Sequence, residues 1–240
     1  MVKHRQQSGN VLFLILIAVA LFAALSYAVT QSSRSGSDAS KETNVINTAS
    51  LTQYPNSVRT AVLRLIISGI DPLDIYFNRP DEFSGVGNTF FVGKESRGVF
   101  HPQGGGAAYQ QIPANLTSGG TPIDWKFNAD FEIPLLGLSQ TGSGSGNELI
   151  AFGDGITQSI CARVNKELHS DETIPVINTA LTISNNRTAT TAAPTNPTTE
   201  TAVLTSDTPA SPNWFSNKAF GCFQNGSSGS YVFYYVMAER

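Results

Sequence analysis

From Gln6 to Ser33 the chain carries no charged residue, and inside that stretch Val11 to Leu25 is an unbroken apolar run, Val-Leu-Phe-Leu-Ile-Leu-Ile-Ala-Val-Ala-Leu-Phe-Ala-Ala-Leu, continued after Ser26 by Tyr27, Ala28 and Val29. At 1.5 Å of rise per helical residue this is about 28 Å, close to the thickness of a bilayer hydrocarbon core. Even a buried helix of a soluble domain usually keeps a polar stripe. The run therefore predicts a membrane-spanning helix over residues 10–30 that meets lipid through Val11 to Val29. Lys3, His4 and Arg5 lie in a short leader, residues 1–9, and hold that end in the cytoplasm while the remainder is exported. A cleaved secretory signal is the competing reading, because Ser26-Tyr27-Ala28 supplies a small-x-small site. Its apolar region is usually about 7 to 15 residues, shorter than this one. Both readings export the body.

The body has a different electrical character. All eighteen acidic residues lie at Asp38 or beyond, and from position 35 onward twelve basic residues face eighteen acidic ones, a net of -6. No basic face is left to neutralise phosphates, so nucleic acid is not an expected partner. Charged residues make up 14% of the chain, against about a quarter in ordinary soluble domains. That argues against a cytosolic housekeeping enzyme and against a charge-driven disordered chain. A length of 240 residues is enough for one large domain with a real core, or for two small ones.

The start of the chain also carries a pattern. A basic leader ending in Gly9, followed at once by Asn10-Val11-Leu12-Phe13-Leu14-Ile15 and a long apolar helix, resembles the N-terminus of type IV pilins and type II secretion pseudopilins over about thirty residues. The resemblance implies processing by a prepilin peptidase between Gly9 and Asn10, methylation of the new terminal amine, a bacterial inner-membrane location with the body periplasmic or extracellular, and pilin or pseudopilin subunits as partners. Two residues depart from the family pattern: Asn10 stands where the family has Phe, and Leu14 where it has Glu. That glutamate neutralises a neighbouring subunit's amine in an apolar filament core, where an unpaired charge costs several kcal/mol. Leu14 has no carboxylate to offer, so the resemblance implies a minor or tip subunit rather than a major pilin. The alternative is a single-pass tether carrying a binding domain that never polymerises.

Residues 31–40 (Gln31 to Ser40) are small and polar and read as a flexible joint. Beyond it, residues 41–240 read as an exported α+β domain. Val58, Ala61, Val62, Leu65 and Ile66 repeat at helical spacing, with Pro55 suited to a first turn and Gly69 to the stop; Arg59 and Arg64 are expected to face water. Then the period becomes two. Ile123, Trp125, Phe127, Ala129, Phe131 and Ile133 alternate with Asp124, Lys126, Asn128, Asp130 and Glu132, which predicts a strand with one buried and one wet face. Shorter strands are expected at Thr89 to Val92, Ala108 to Ile112, Leu149 to Phe152, Val176 to Ile183 and Ala219 to Gln224, with a final hairpin through Asn225-Gly226 to Tyr231–Met237. A helix is expected from about Ile156 to Leu168. Short polar turns favour an antiparallel sheet. Residues 188–212 are of low complexity, with Ala202-Val203-Leu204 as the one apolar patch, and read as an exposed loop.

Cys161 and Cys222 are the two cysteines, and outside the cytoplasm a single pair is most simply a disulfide. A reactive thiol or a metal site are the rivals, but Cys-x-x-Cys and companion ligands at zinc spacing are missing. No catalytic residue, cofactor or metal site is assigned. A Ser-His-Asp arrangement would need His101 or His169, and neither has a nucleophile motif; Gly142-Ser143-Gly144-Ser145-Gly146 reads as a turn. Gly104-Gly105-Gly106 reads as a tight turn rather than an anion nest, and Asp71, Asp74, Asp81 and Glu82 as caps and solvated charges rather than calcium ligands. The sequons at Asn115, Asn186 and Asn225 are given no role.

Overall fold

The computed structural model describes residues 9–32, 36–83, 91–137, 147–178, 181–188, 202–204 and 214–239. The chain divides into two units, Met1–Asn44 and Val45–Arg240. The first contains helix α1 (Gly9–Ser32) and the start of α2 (Gly36–Ile67), whose residues from Val45 onward belong to the second. Of the stretch read as a joint, residues 31–32 and 36–40 are helical, and 33–35 lie outside the described residues.

In the second unit α2 buries Val58, Ala61, Val62 and Leu65 of the expected stripe, with Ile66 partly buried, and extends it back to Leu51 and Tyr54. Pro55 does not open this helix but lies inside it, itself buried. An interior proline removes one hydrogen bond, at a cost of about 3 kcal/mol, and a stripe of six buried side chains at about 1.5–3 kcal/mol each outweighs it. The helix stops at Gly69, whose φ of 94° is open to glycine at little cost, with Ile70 N–H bonded to Leu65 O and Gly69 N–H to Ile66 O in a Schellman motif. Arg64 is exposed as expected, with its Nη1 also donating to Gly105 O at 3.1 Å, whereas Arg59, expected in water too, is partly buried.

Among the described residues six strands form one sheet, β1 (Lys126–Glu132), β2 (Glu148–Ile156), β3 (Val176–Ile177), β4 (Ala202–Val203), β5 (Phe220–Asn225) and β6 (Tyr231–Ala238), in the order β3-β5-β6-β2-β1-β4. The four central strands pair antiparallel, but β3 runs parallel to β5 and β4 parallel to β1. The sheet is therefore mixed, which corrects the antiparallel expectation within a fold that is α+β. Each parallel edge strand reaches its neighbour through a long connection, as parallel pairing requires. Helix α3 (Gln158–His169) follows β2, capped by Thr157 at its start and ended by Ser170 in the left-handed region.

The long alternating segment departs from expectation in a second way. The pairing of β1 with β2 slips by one residue between Asn128 and Phe131. Because side chains alternate, this bulge moves Phe131 and Ile133 off the face that holds Phe127 and Ala129 and onto the opposite one. Phe127 and Ala129 join a core with α2 and α3, whereas Phe131 and Ile133 join a second core with Phe152, Trp214, Phe215 and Tyr234. Both sheet faces are thus covered, and the expected wet face holds Asn128 at 0% and Glu132 at 4% exposure.

Three expected strands fall short: that at Val176 to Ile183 is strand only over Val176–Ile177, with 178 and 181–183 irregular and 179–180 outside the described residues. Phe91 and Val92 lie in a turn, with 89–90 outside the described residues, and Ala108 to Ile112 contributes a lone bridge between Ile112 and Ile123. In the low-complexity stretch, 189–201 and 205–212 lie outside the described residues, but its apolar patch is anchored: Ala202 and Val203 form β4, and Leu204 is buried.

Candidate functional sites: the apolar helix and the stapled body

Gly9 and Asn10 are the first two residues of α1, and the leader before them lies outside the described residues. Leu12–Thr30 has a mean hydropathy of 2.7 and buries 0% of its most apolar window, so this helix is long and apolar enough to cross a membrane. Leu14, at the position where a pilin would carry glutamate, is exposed on its surface with the other leucines, phenylalanines and isoleucines of the run. Such an apolar surface all round the helix leaves water as an unfavourable surrounding.

The body is closed by a disulfide. Cys161 on α3 and Cys222 on β5 are bonded, with Cα atoms 5.3 Å apart and both residues fully buried. One helical turn on, Asn165 reinforces the same junction. Its Nδ2 donates to Cys222 O and to Thr173 O at 2.8 Å each, and its Oδ1 accepts from Cys222 N–H at 2.9 Å. The side chain thus pairs with the β5 backbone as another strand would. On the far edge, Asn185 and Asn186 do the same for β1, their Oδ1 atoms accepting from Phe127 N–H and Ala129 N–H. Sequence reading found the cysteines but had no signal for these three asparagines.

The other sequence candidates are placed apart. His101 packs edge-on against Phe83 and Phe91 and accepts from Gln103 N–H at 3.2 Å. His169 stacks on Phe220, and its Nε2 lies 2.7 Å from the Phe220 carbonyl; burial holds its pKa below the ordinary value. The Gly104, Gly105 and Gly106 amides all donate to carbonyls of the same turn, and a Cβ on Gly105 would meet Val99 O at 2.6 Å. That turn has no amide to spare for an anion. Asp71 caps Leu73, Asp74 pairs with Arg97 at 3.1 Å, and Asp81 and Glu82 pair with Arg79. Gly142 to Gly146 lie outside the described residues. Among the sequons, Asn225 is buried and bonded to Leu181 O, Asn186 is bonded to Asp130, and Asn115 is exposed.

A polar groove of about 450 Å³ was not anticipated. It is organised by Asp124, whose carboxylate accepts from Tyr109 Oη at 2.5 Å, Gln111 Nε2 at 2.8 Å and Arg79 Nη1 at 3.0 Å. Next along, Lys126 pairs with Asp154 at 2.8 Å, and Asp154 accepts from Ser230 Oγ at 2.7 Å. Burial pushes the Asp124 carboxyl up, but the Tyr109 and Gln111 hydrogen bonds and the Arg79 guanidinium outweigh it and leave it below its ordinary range. Burial and the bond to Asp124 raise the Tyr109 phenol. The groove thus carries two ion pairs side by side, Arg79 with Asp124 and Lys126 with Asp154. Asp124 and Lys126 were visible as the polar half of the alternation; Arg79 arrives from a loop, and Tyr109 from the segment expected as a strand at Ala108 to Ile112.

Compared with protein-family models, curated proteins and solved structures, the chain matches none.

Proposed function

We propose that this protein is a membrane-anchored, exported subunit resembling a pilin or minor pseudopilin, which acts by assembly in a filament or secretion apparatus rather than by turnover. The observation that supports this most is the junction of Gly9 and Asn10 with a helix whose window Leu12–Thr30 is apolar on every side and 0% buried. In this reading a prepilin peptidase removes the leader between Gly9 and Asn10 and the Asn10 amine is methylated. Residues Val11 to Val29 sit in the inner membrane until the subunit is assembled, with the body on the periplasmic or extracellular side. Leu14 leaves no carboxylate for a neighbour's amine, which suits a subunit at the filament tip. The Cys161–Cys222 bond suits an oxidising compartment.

The second reading, a membrane-tethered binding domain that does not polymerise, is favoured by the charged groove around Asp124. Mass spectrometry of the mature N-terminus, on protein from its native membranes, separates the two. A chain beginning at methylated Asn10 is expected for the pilin-like subunit. An intact Met1 would leave the tether, and a start at Val29 would make the body a secreted protein and defeat both.

A further inference from the structure

Three glutamates sit where β1, β2 and β6 end side by side. Glu132 is the last residue of β1, Glu148 the first of β2, and Glu239 follows β6. Pairing holds the three ends in line: Phe131 lies opposite Glu148, and Leu149 opposite Ala238. Glu148 is 0% exposed and Glu132 4%, whereas Glu239 is exposed. Glu148 Oε2 accepts from Ile133 N–H at 2.8 Å, and its Oε1 is buried with no hydrogen-bond partner among the described residues. The charges that act on Glu148 are those of Glu132 on β1 and Glu239 after β6, both negative. Just before β2 the neighbour is Asn147, and Leu204 beside β4 donates its N–H to the Glu132 carbonyl at 2.9 Å. A buried carboxyl with one unpartnered oxygen and two negative neighbours favours its protonated form, against the hydrogen bonds from the Ile133 N–H and its own N–H.

We propose that Glu132, Glu148 and Glu239 form a proton-operated latch: a protonated Glu148 keeps the three strand ends packed, and release of that proton to solvent puts three like charges on adjacent strands and loosens this end of the sheet. Burial, assisted by Glu132 and Glu239 and opposed by the hydrogen bonds from the Ile133 N–H and from its own N–H, pushes the Glu148 carboxyl up to about 8. The sign follows. Between the ordinary carboxyl range and about 8 the folded state binds one proton more than the unfolded state, so the folding equilibrium weakens about tenfold per pH unit there and levels off above. His169, held below its ordinary value of about 6.5, acts in the opposite direction and only up to that pH. The interval from about pH 6.5 to 8.5 therefore reads Glu148.

The test uses the full chain in detergent micelles. Thermal unfolding and amide hydrogen exchange are followed across this interval for the unaltered protein and for Glu148→Gln. The unaltered protein is expected to lose thermal stability up to about pH 8 and then level off. The protection factors of Ile133, Leu204 and Ile150 should fall about tenfold or more, and further than those of the far hairpin, Gln224 and Val232. Glu148→Gln should remove both changes. If Glu148→Gln does not fold, Glu239→Gln at the exposed position supplies the reading: removing one negative neighbour lets Glu148 ionise earlier, so the levelling moves to lower pH. A flat profile in the unaltered protein, an unchanged slope in Glu148→Gln, or an unmoved levelling point in Glu239→Gln overturns the latch.

Discussion

Asn165 is bonded to both backbone groups of Cys222, donating to its carbonyl at 2.8 Å and accepting from its N–H at 2.9 Å, one helical turn from the cysteine that is disulfide-bonded to the same residue. The helix is thereby joined to β5 by a covalent bond and by a side chain acting as a strand. Replacing Asn165 with Leu leaves the Cys222 N–H, the Cys222 C=O and the Thr173 C=O without this partner. A buried group so stranded costs about 1–3 kcal/mol. We expect Asn165→Leu to lose about 2–4 kcal/mol in urea denaturation with the disulfide intact. A loss below about 0.5 kcal/mol would show that water or a backbone shift replaces the amide. For scale, closing the 61-residue separation between the cysteines contributes about 4 kcal/mol in the chain-entropy model.

The bulge in β1 makes a distinct prediction. Phe131 is buried in the second core and meets Phe152 edge-on with ring centroids 5.4 Å apart. Phe131→Ala should cost about 3–5 kcal/mol, whereas Lys126→Ala, which removes a half-exposed ion pair on the same strand, should cost less than about 1 kcal/mol. Equal and small losses for the two variants would mean that Phe131 faces solvent and that the register does not shift.

Asp124 should reveal itself at acid pH. Its carboxyl lies below the ordinary range in the folded state, so its contribution is present above the unfolded value of about 4 and is lost as pH falls through the lowered folded value. Thermal melts of Asp124→Asn should lack this component of the acid loss. The side chain is 43% exposed, so solvent screening keeps the total below about 1 kcal/mol. The same substitution removes the charge that disfavours the Tyr109 phenolate, and ultraviolet titration should then show a tyrosine ionising at lower pH than before. No change in the tyrosine titration would refute the coupling.

The apolar helix is tested at its centre. Val19 is exposed on α1, midway along Leu12–Thr30. Val19→Arg places a charge there, at a cost of about 2.5–3.5 kcal/mol to insertion. The expected outcome is a marked shift of the protein from the carbonate-resistant membrane fraction to the soluble fraction, with Val19→Leu unaffected. Retention of Val19→Arg in the membrane fraction would count against a lipid-facing helix.

How much of this was legible beforehand depends on range. The α2 stripe, α3, β2, the final hairpin and the stop at Gly69 were readable because periodicity and turn chemistry are local properties of consecutive residues. Pro55 was misplaced because a local rule about helix starts is overridden by burial on either side of it. The disulfide was readable because only two cysteines exist to pair. The Asp124 groove was not, since Arg79, Tyr109 and Asp154 are brought to it by loops and by strand pairing.

By itself, then, the sequence determined that residues 10–30 form an apolar helix, that an acidic α+β body follows, and that Cys161 and Cys222 are available to staple it. Those are consequences of composition and spacing, which act over a few residues or need no partner. Only the tertiary structure decided that β3 and β4 lie parallel, that Phe131 crosses to the second core, and that Glu148 is enclosed beside Glu132. Each of these depends on which distant segment covers a given face, and a one-residue shift in pairing is enough to invert the faces without any mark in the alternation.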